Sequence, residues 1–508
     1  MAGALVAGVV LVHLVTALVT PYEIHRDEFL YFAMGEHLRL FAMDFPPMIA
    51  LLAEAQRGLF GDAIWSIRLA PALAHGATVL LTAGLVARLR GGRFAQLLAM
   101  IPVATAPLYL RAGSLFQPVV FDQLWWTLAL YALAVLASSD ESATSLRNWL
   151  VLGLALGLGL LTKFTMLALG FGMLCAILLT RRGWLRSRGP WIAAALALVL
   201  GSPSWIGQLQ LGMPVLTQMG DLRETQLERI SYAQFVLDLM LMHGPLPFAV
   251  ALTGIGALVA SRQFRAWRVV GWAALIPALI IMLMRGKPYY IGPAFPAFYA
   301  AGAIVTSQLL GRIASHFART SAQVAMTALM AGFGLFAIPL ALPVLPPAQT
   351  AAFAARLGLA SATQTNQGVV LELPQDFADM LGWQRKVARI AEVYRALPPA
   401  ERADVVIVAD NYGQAGAVDF YGPRYGLPKA IVPAGSYWFW GPGPKPGRVI
   451  IKIGGDAEGL RPFCGSIELA TRIEERWVVP EEKDLAIWLC RQPHRTLQEV
   501  WPMFRGQN

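Results

Sequence analysis

The sequence predicts a polytopic α-helical membrane protein of about 11 transmembrane helices, followed by a C-terminal soluble α/β domain. Three observations carry that reading. The chain is 56% hydrophobic with a mean hydropathy of +0.54. Only 14% of its residues are charged, where soluble proteins carry about 25%. Beyond residue 342 charge density and turn residues return to ordinary levels over roughly 160 residues, near the usual size of one domain. The division is therefore 1–342 for the membrane part and 343–508 for the α/β tail.

Apolar runs of about 17 to 25 residues mark spans. They fall near residues 4–20, 67–87, 94–110, 121–137, 148–180, 190–206, 245–260, 269–284, 294–310 and 321–342. The 148–180 run is too long for one crossing, because at 1.5 Å per residue it would extend about 50 Å against a hydrocarbon core of about 30 Å. Lys163, flanked by Thr162 and Thr165, would be costly in lipid, so the run is expected to break there, at the outer surface.

Charge bias agrees with the break. Counting two spans puts Arg88, Arg90 and Arg93, then Arg181, Arg182, Arg186 and Arg188, then Arg262, Arg265 and Arg268, then Arg312 and Arg319 on one side, as the positive-inside rule requires. One span would scatter them. The N-terminus is then cytoplasmic and the tail extracytoplasmic, with residues 21–65, 117–122, 208–243 and 285–293 on the outer face. No basic segment or small-residue cleavage site accompanies the first apolar stretch, so residues 4–19 are expected to be a retained span. The net charge of +10 does not imply nucleic acid, because the basic residues sit in short loops between apolar runs.

In the tail, residues 403–409 and 448–453 read as short buried strands, and 383–397 and 484–491 as helices. The Gly/Pro-rich run Gly441-Pro442-Gly443-Pro444-Lys445-Pro446-Gly447 lacks the Walker pattern and reads as a turn. Cys175 lies in a span. Cys464 and Cys490 both fall in the tail, where oxidation is favoured, though whether they pair depends on a distance the sequence does not show.

Odd polar residues gather on the predicted outer face. Asp27 and Glu28 begin an apolar-periodic segment, Phe29, Leu30, Phe32, Ala33, Leu38 and Leu40, that suggests an amphipathic helix lying at the interface within the 21–65 loop. Acids at a helix start are either caps, stabilised by the helix dipole, or here a general base at the membrane surface. Asp44 precedes Pro46-Pro47, and Asp122 stands beside Gln117 and Gln123 at the outer start of a span; each is a helix cap, a loop acid or a cation ligand. His243, before Gly244-Pro245, is a structural histidine or a metal ligand, and no His/Cys/Asp spacing meets a zinc template. In Arg285-Gly286-Lys287-Pro288-Tyr289-Tyr290, two cations and two phenols suit a lipid-attached phosphate, while the alternative is an interfacial anchor. Lys163 is a further cation on that face. Trp438, Phe439 and Trp440 are either core or a sugar-stacking surface.

Together these residues resemble the membrane glycosyltransferases of family 39 and their relatives, which include the protein O-mannosyltransferases and the lipid A aminoarabinose transferase. Arg26-Asp27-Glu28 followed by Tyr31, Asp44 with Pro46-Pro47, Leu161-Thr162-Lys163, and Lys287-Pro288-Tyr289-Tyr290 followed by Pro293 occur in the family's order. The resemblance covers residues 1–342 well; in the tail it extends to Asn411-Tyr412-Gly413 and residues 436–440. It implies a GT-C type fold in the bacterial inner membrane, embedded in membrane lipids, and an inverting hexosyl- or pentosyltransferase. The donor would be a polyprenyl-phosphate sugar and the acceptor a lipid, glycan or protein at the outer face.

By the same resemblance Asp27 matches the catalytic aspartate, Glu28 supports it or the acceptor, and Asp122 is a second acidic position. Lys287, Arg285, Tyr289, Tyr290 and Lys163 would hold the donor phosphate. Asp44 and His243 match positions that hold a divalent metal ion in some relatives, although Phe45 stands where relatives often carry His or Lys. Two other classes compete. A transporter or flippase of lipid-linked sugars would need a mid-membrane polar path and often shows repeated halves, and no repeat is visible. A catalytically degenerate glycan-binding assembly protein would not need Asp27, Asp122 and Lys287 together.

Overall fold

Apolar helices fill the first two-thirds of the chain. The structure, a computed structural model, describes residues 1–138, 145–358 and 360–505; residue 359 and the last three residues of the predicted 343–508 tail lie outside it. Among the described residues six helices are long and apolar enough to cross a membrane, Ala2–Val19, Ile64–Arg88, Pro118–Ala137, Arg265–Leu283, Pro288–Gly311 and His316–Ala341. Three bent pairs bring the number to as many as nine: Arg93–Thr105 with Pro107–Gly113, Gly189–Leu200 with Ser202–Leu211, and Tyr232–His243 with Pro245–Ala260. Each second half opens on a proline in its first turn, where the missing N–H costs nothing.

The long 148–180 run breaks where Lys163 stands. Helices Leu146–Thr162 and Thr165–Thr180 meet there, and Lys163 adopts an extended backbone. Both are shorter than the spanning length, so the expected figure of about eleven is reached only if they are counted as spans. The chain is thus a multi-pass membrane protein. Its helices approach closely where glycine permits. A Cβ on Gly254 would fall 1.9 Å from the Phe298 carbonyl oxygen, and one on Gly302 would fall 2.0 Å from that of Val250. The two helices therefore cross in direct backbone contact.

The tail carries a five-stranded sheet, β1 Val405–Val408, β2 Ala430–Ile431, β3 Val449–Ile453, β4 Cys464–Glu474 and β5 Asp484–Pro493, in the order β2-β1-β3-β5-β4. β1 runs parallel to β2 and β3, whereas β5 is antiparallel to β3 and β4. The two predicted strands are β1 and β3, and the predicted 383–397 helix is Trp383–Ala396. The helix expected at 484–491 is instead β5. Its apolar run Leu485-Ala486-Ile487-Trp488-Leu489-Cys490 sits between two neighbouring strands, and a short continuous apolar run has no period that separates strand from buried helix. Cys464 and Cys490 form a disulfide that ties β4 to β5. The 441–447 run is a loop with positive φ at Gly441, Gly443 and Gly447, which explains its glycines.

The segment expected to lie flat at the interface does something different. Helix Arg26–Glu36 buries Phe29, Leu30, Phe32, Ala33 and Met34 together, leaving no wide polar face, and Leu38 and Leu40 fall beyond its end, exposed. The tail covers it. Helix Tyr412–Tyr421 crosses so closely that a Cβ on Gly416 would lie 2.6 Å from Phe29, and Phe29 meets Trp383 and Tyr421 edge-on at 5.7 and 5.6 Å. Membrane-side residues 24–53 and the sheet thereby share one hydrophobic core.

Candidate active site

Helix Arg26–Glu36 starts with a reciprocal cap. His25 Nδ1 accepts the Asp27 amide at 3.1 Å, and Glu28 Oε2 accepts the His25 amide at 2.8 Å. That satisfies two of the orphan donors of the first turn, and His25 Nε2 faces Asp376 and Asp379 at 3.8 and 3.9 Å. Glu28 is fully buried, and its other oxygen accepts the Phe116 amide at 2.7 Å while Arg68 Nη2 stands 3.4 Å away. Every polar atom of this carboxylate is committed to the fold. Glu28 therefore pins the helix to the 114–117 corner, and the capping interpretation describes it better than a role in chemistry.

Asp27, one residue earlier, has no capping duty and a side chain 30% exposed. Its Oδ2 accepts from Gln117 Nε2 at 3.1 Å and its Oδ1 from the Tyr412 hydroxyl at 2.8 Å. Each oxygen keeps a lone pair for a further donor. Arg26 points the other way, to Glu481 at 2.9 Å and Asp379 at 3.3 Å. Burial raises the Asp379 carboxyl to about 6 in spite of Arg26. Arg111 pairs with Asp376 and caps the carbonyl of Leu340, closing a charged ring between the helices and the tail.

Lys287 links Asp27 to a second cation, Lys163. Lys163 Nζ sits 4.3 Å above the Tyr290 ring and 5.3 Å from that of Tyr289, and the two phenol rings are 4.6 Å apart. Lys287 interacts electrostatically with Asp27 and Lys163 together. Burial lowers the Lys287 ammonium to about 8 against the pull of Asp27, so at neutral pH it is charged but loosely so. Asp122 is buried and is the carboxylate facing Lys163. Thr165 donates to its Oδ2 at 2.8 Å.

Two expected members stand apart. Arg285 adopts φ +54° and turns outward onto the Tyr232 ring and the Glu228 carbonyl, because the tight turn at Arg285-Gly286 reverses the chain before Lys287. The expected Asp44 and His243 metal pair is also not assembled. Asp44 accepts from Ser436 at 2.7 Å, and its carbonyl takes Gln208 at 2.5 Å. His243 is buried on Phe295 with a 2.8 Å bond to Tyr299. Among the described residues no group of three or more His, Cys, Asp or Glu is arranged to hold an ion, so the residues present do not fit a metal centre.

Sequence reasoning missed the tail's part in this site. Tyr412, Asp379 and Glu481 reach the Arg26-Asp27 pair from 353 to 455 residues away in sequence, and Asp376 faces the neighbouring His25. The available signal was Asp376 and Asp379 three apart on one helical face beside apolar Phe377 and Met380. Trp438 and Trp501 exchange indole-to-carbonyl bonds of 3.0 and 2.9 Å, and Trp440 stacks on His37 at 4.2 Å, so these rings hold the tail together and to the membrane part.

A family model described as dolichyl-phosphate-mannose-protein mannosyltransferase matches residues 44–206. That stretch contains Asp44, Asp122 and Lys163 but neither Asp27 nor Lys287. The lipid A galacturonosyltransferase RgtD of Rhizobium johnstonii is 26% identical over 292 residues, 56% of this chain and 60% of that protein, so the chain spans under two-thirds of the relative's length. The fold is similar to ArnT from Cupriavidus metallidurans bound to undecaprenyl phosphate. There the TM-score is 0.60 at 15% identity, over 96% of this chain and 97% of that one. It is also similar to the archaeal oligosaccharyltransferase AglB from Archaeoglobus fulgidus, in complex with an inhibitory peptide and a dolichol-phosphate. That match has a TM-score of 0.51 at 12% identity, over 82% of this chain and 63% of that one. These likenesses bear out the resemblance to GT-C glycosyltransferases.

Proposed function

We propose that this chain is an inverting glycosyltransferase that moves a sugar from a polyprenyl-phosphate donor to a hydroxyl-bearing lipid, glycan or protein at the outer face of the bacterial inner membrane. The observation that carries the reading is the pairing of Asp27, a partly exposed carboxylate with spare lone pairs, with the cation Lys287 within electrostatic reach, Lys163 standing within reach of Lys287 in turn. A base facing a phosphate site is what transfer from a sugar phosphate needs. Asp27 takes the proton of the acceptor hydroxyl as its oxygen attacks the anomeric carbon. The carbon–oxygen bond to phosphate breaks on the opposite side, and the lipid phosphate leaves with the electron pair.

Charge develops on that phosphate as the bond breaks, so cations placed there act most strongly in the transition state. Lys287 and Lys163 supply the charge, and the hydroxyls of Tyr289 and Tyr290 supply donors beside it. A phosphate bound at Lys287 also favours its charged form, tightening the site on binding. Asp122, facing Lys163, keeps that ammonium oriented. The membrane helices would receive the polyprenyl chain, and a domain formed by residues 343–508 would roof the site outside the membrane. The galacturonosyltransferase and ArnT likenesses support a lipid-A-type acceptor and a polyprenyl-phosphate donor. The test is sugar transfer from a panel of polyprenyl-phosphate sugars by the purified chain in lipid. Asp27→Asn should lose at least about 10²-fold in rate, the contribution expected of a general base, while still binding donor.

A further inference from the structure

The carboxylate of Asp27 is held on one side by a residue of the tail. We propose that Tyr412 is a positioning residue for the transfer reaction, its hydroxyl fixing the Asp27 carboxylate in the orientation from which it accepts the acceptor's proton. The inference rests on Asp27 being the base.

The placement of Tyr412 is built. It follows β1 directly, at the start of the Tyr412–Tyr421 helix, where the chain leaves toward β2 on one side while β3 flanks β1 on the other. Such a point beyond the carboxyl ends of parallel strands is where open α/β sheets present functional residues. Asn411 caps the helix by accepting the Gln414 amide at 3.0 Å and donates its own amide to Glu482 at 2.9 Å. Glu482 is buried, receives Gln414 at 2.9 Å and pairs with the equally buried Lys386 at 2.7 Å. That network has no slack: it fixes the helix start from below.

From above, the Arg26 guanidinium lies 5.1 Å over the Tyr412 ring and is itself held by Glu481 and Asp379. The ring is thus clamped and the hydroxyl has one direction, toward Asp27 Oδ1 at 2.8 Å. Burial and the adjacent Asp27 charge push the phenol well above its ordinary range, so it donates and never competes as a base. With Gln117 on Oδ2, both oxygens are fixed before substrate arrives. Preorganisation of this kind removes reorientation from the barrier and leaves substrate binding alone.

Tyr412→Phe keeps the ring under Arg26 and removes only the hydroxyl. A misplacement of about 1 Å in a reacting group costs about 10²-fold, so kcat should fall about 10- to 100-fold. KM for donor and acceptor should stay within about twofold, and the melting temperature should be unchanged. A residue that merely holds the tail down would lower the melting temperature or raise KM instead. A second readout needs no turnover: labelling of Asp27 by a hydrophobic carbodiimide, read by peptide mass spectrometry, should rise several-fold in Tyr412→Phe and stay low in the control Tyr425→Phe. Wild-type kcat in Tyr412→Phe, or labelling equal to wild type, overturns the proposal. If the wild-type chain transfers no sugar while labelling still rises, the glycosyltransferase reading fails but the hold of Tyr412 on Asp27 stands.

Discussion

Replacing Glu28 by alanine separates the two acids at the head of the Arg26–Glu36 helix. The carboxylate is fully buried and answers three donors, the amides of His25 and Phe116 at 2.8 and 2.7 Å and Arg68 Nη2 at 3.4 Å. Removing it strands Arg68, which is 1% exposed. An uncompensated buried charge costs about 3–5 kcal/mol, and each amide left without an acceptor about 1–3 kcal/mol. These terms share one site and do not add, so the floor is about 3 kcal/mol. Glu28→Gln keeps one oxygen for the Phe116 amide and should fall between. Asp27→Ala gives up contacts that water can replace and should cost about 1 kcal/mol or less. The assay is the apparent melting temperature of purified protein, followed by gel filtration after heating. Glu28→Ala is expected to melt several degrees lower, or to fail to assemble, while Asp27→Ala melts like wild type and is inactive. A Glu28→Ala protein with wild-type melting and abolished turnover would refute the structural assignment and return Glu28 to the chemistry.

Other outcomes follow from the same geometry. Because burial lowers Lys287 to about 8, its charge is present below that pH and lost above it. Donor affinity should therefore weaken as pH rises through 8, and Lys287→Arg should remove that limb; a flat profile up to pH 10 would count against Lys287 as a donor ligand. Arg285→Ala should leave the donor KM within about twofold, whereas Lys163→Met should raise it about tenfold, the worth of one charge-assisted contact. Equal effects would mean that Arg285 swings back to the site. Reducing the Cys464–Cys490 bridge, which closes a loop with a sequence separation of 26, should cost about 3.5 kcal/mol by loop entropy. Cys464→Ser with Cys490→Ser should lower the melting temperature without changing KM.

What the sequence disclosed divides by the range of the interactions. The break at Lys163 was legible because a charge in mid-run and a 33-residue apolar stretch conflict with bilayer thickness whatever surrounds them. Strands β1 and β3 were legible as short β-branched runs. β5 was not, since a central strand buried on both faces loses the alternation that separates strand from helix. The Arg26–Glu36 helix was found, but its burial was not: what covers Phe29 is Gly416, almost four hundred residues on, and a local pattern cannot report it. Asp27, Lys163, Lys287, Tyr289 and Tyr290 are singled out by chemistry and converge in space. Arg285 has the right chemistry and a backbone turn that sends it elsewhere. Asp44 and His243 have ligand chemistry but separate partners, Ser436 for one and Tyr299 for the other. The tail's contribution to the Arg26–Asp27 pair left only the faint trace of Asp376 and Asp379 beside apolar neighbours, with nothing local to say that they face Arg26 and His25.

The measurement that tests the central claim most directly is transfer of labelled sugar from polyprenyl phosphate to cell-envelope acceptors by the purified full chain in lipid vesicles, with Asp27→Asn alongside. Transfer by the wild type, together with its loss in a variant that still binds donor, is the predicted result. Equal transfer by both, or donor bound by both and released unchanged, would contradict Asp27 as the base and the enzyme as a glycosyltransferase, respectively.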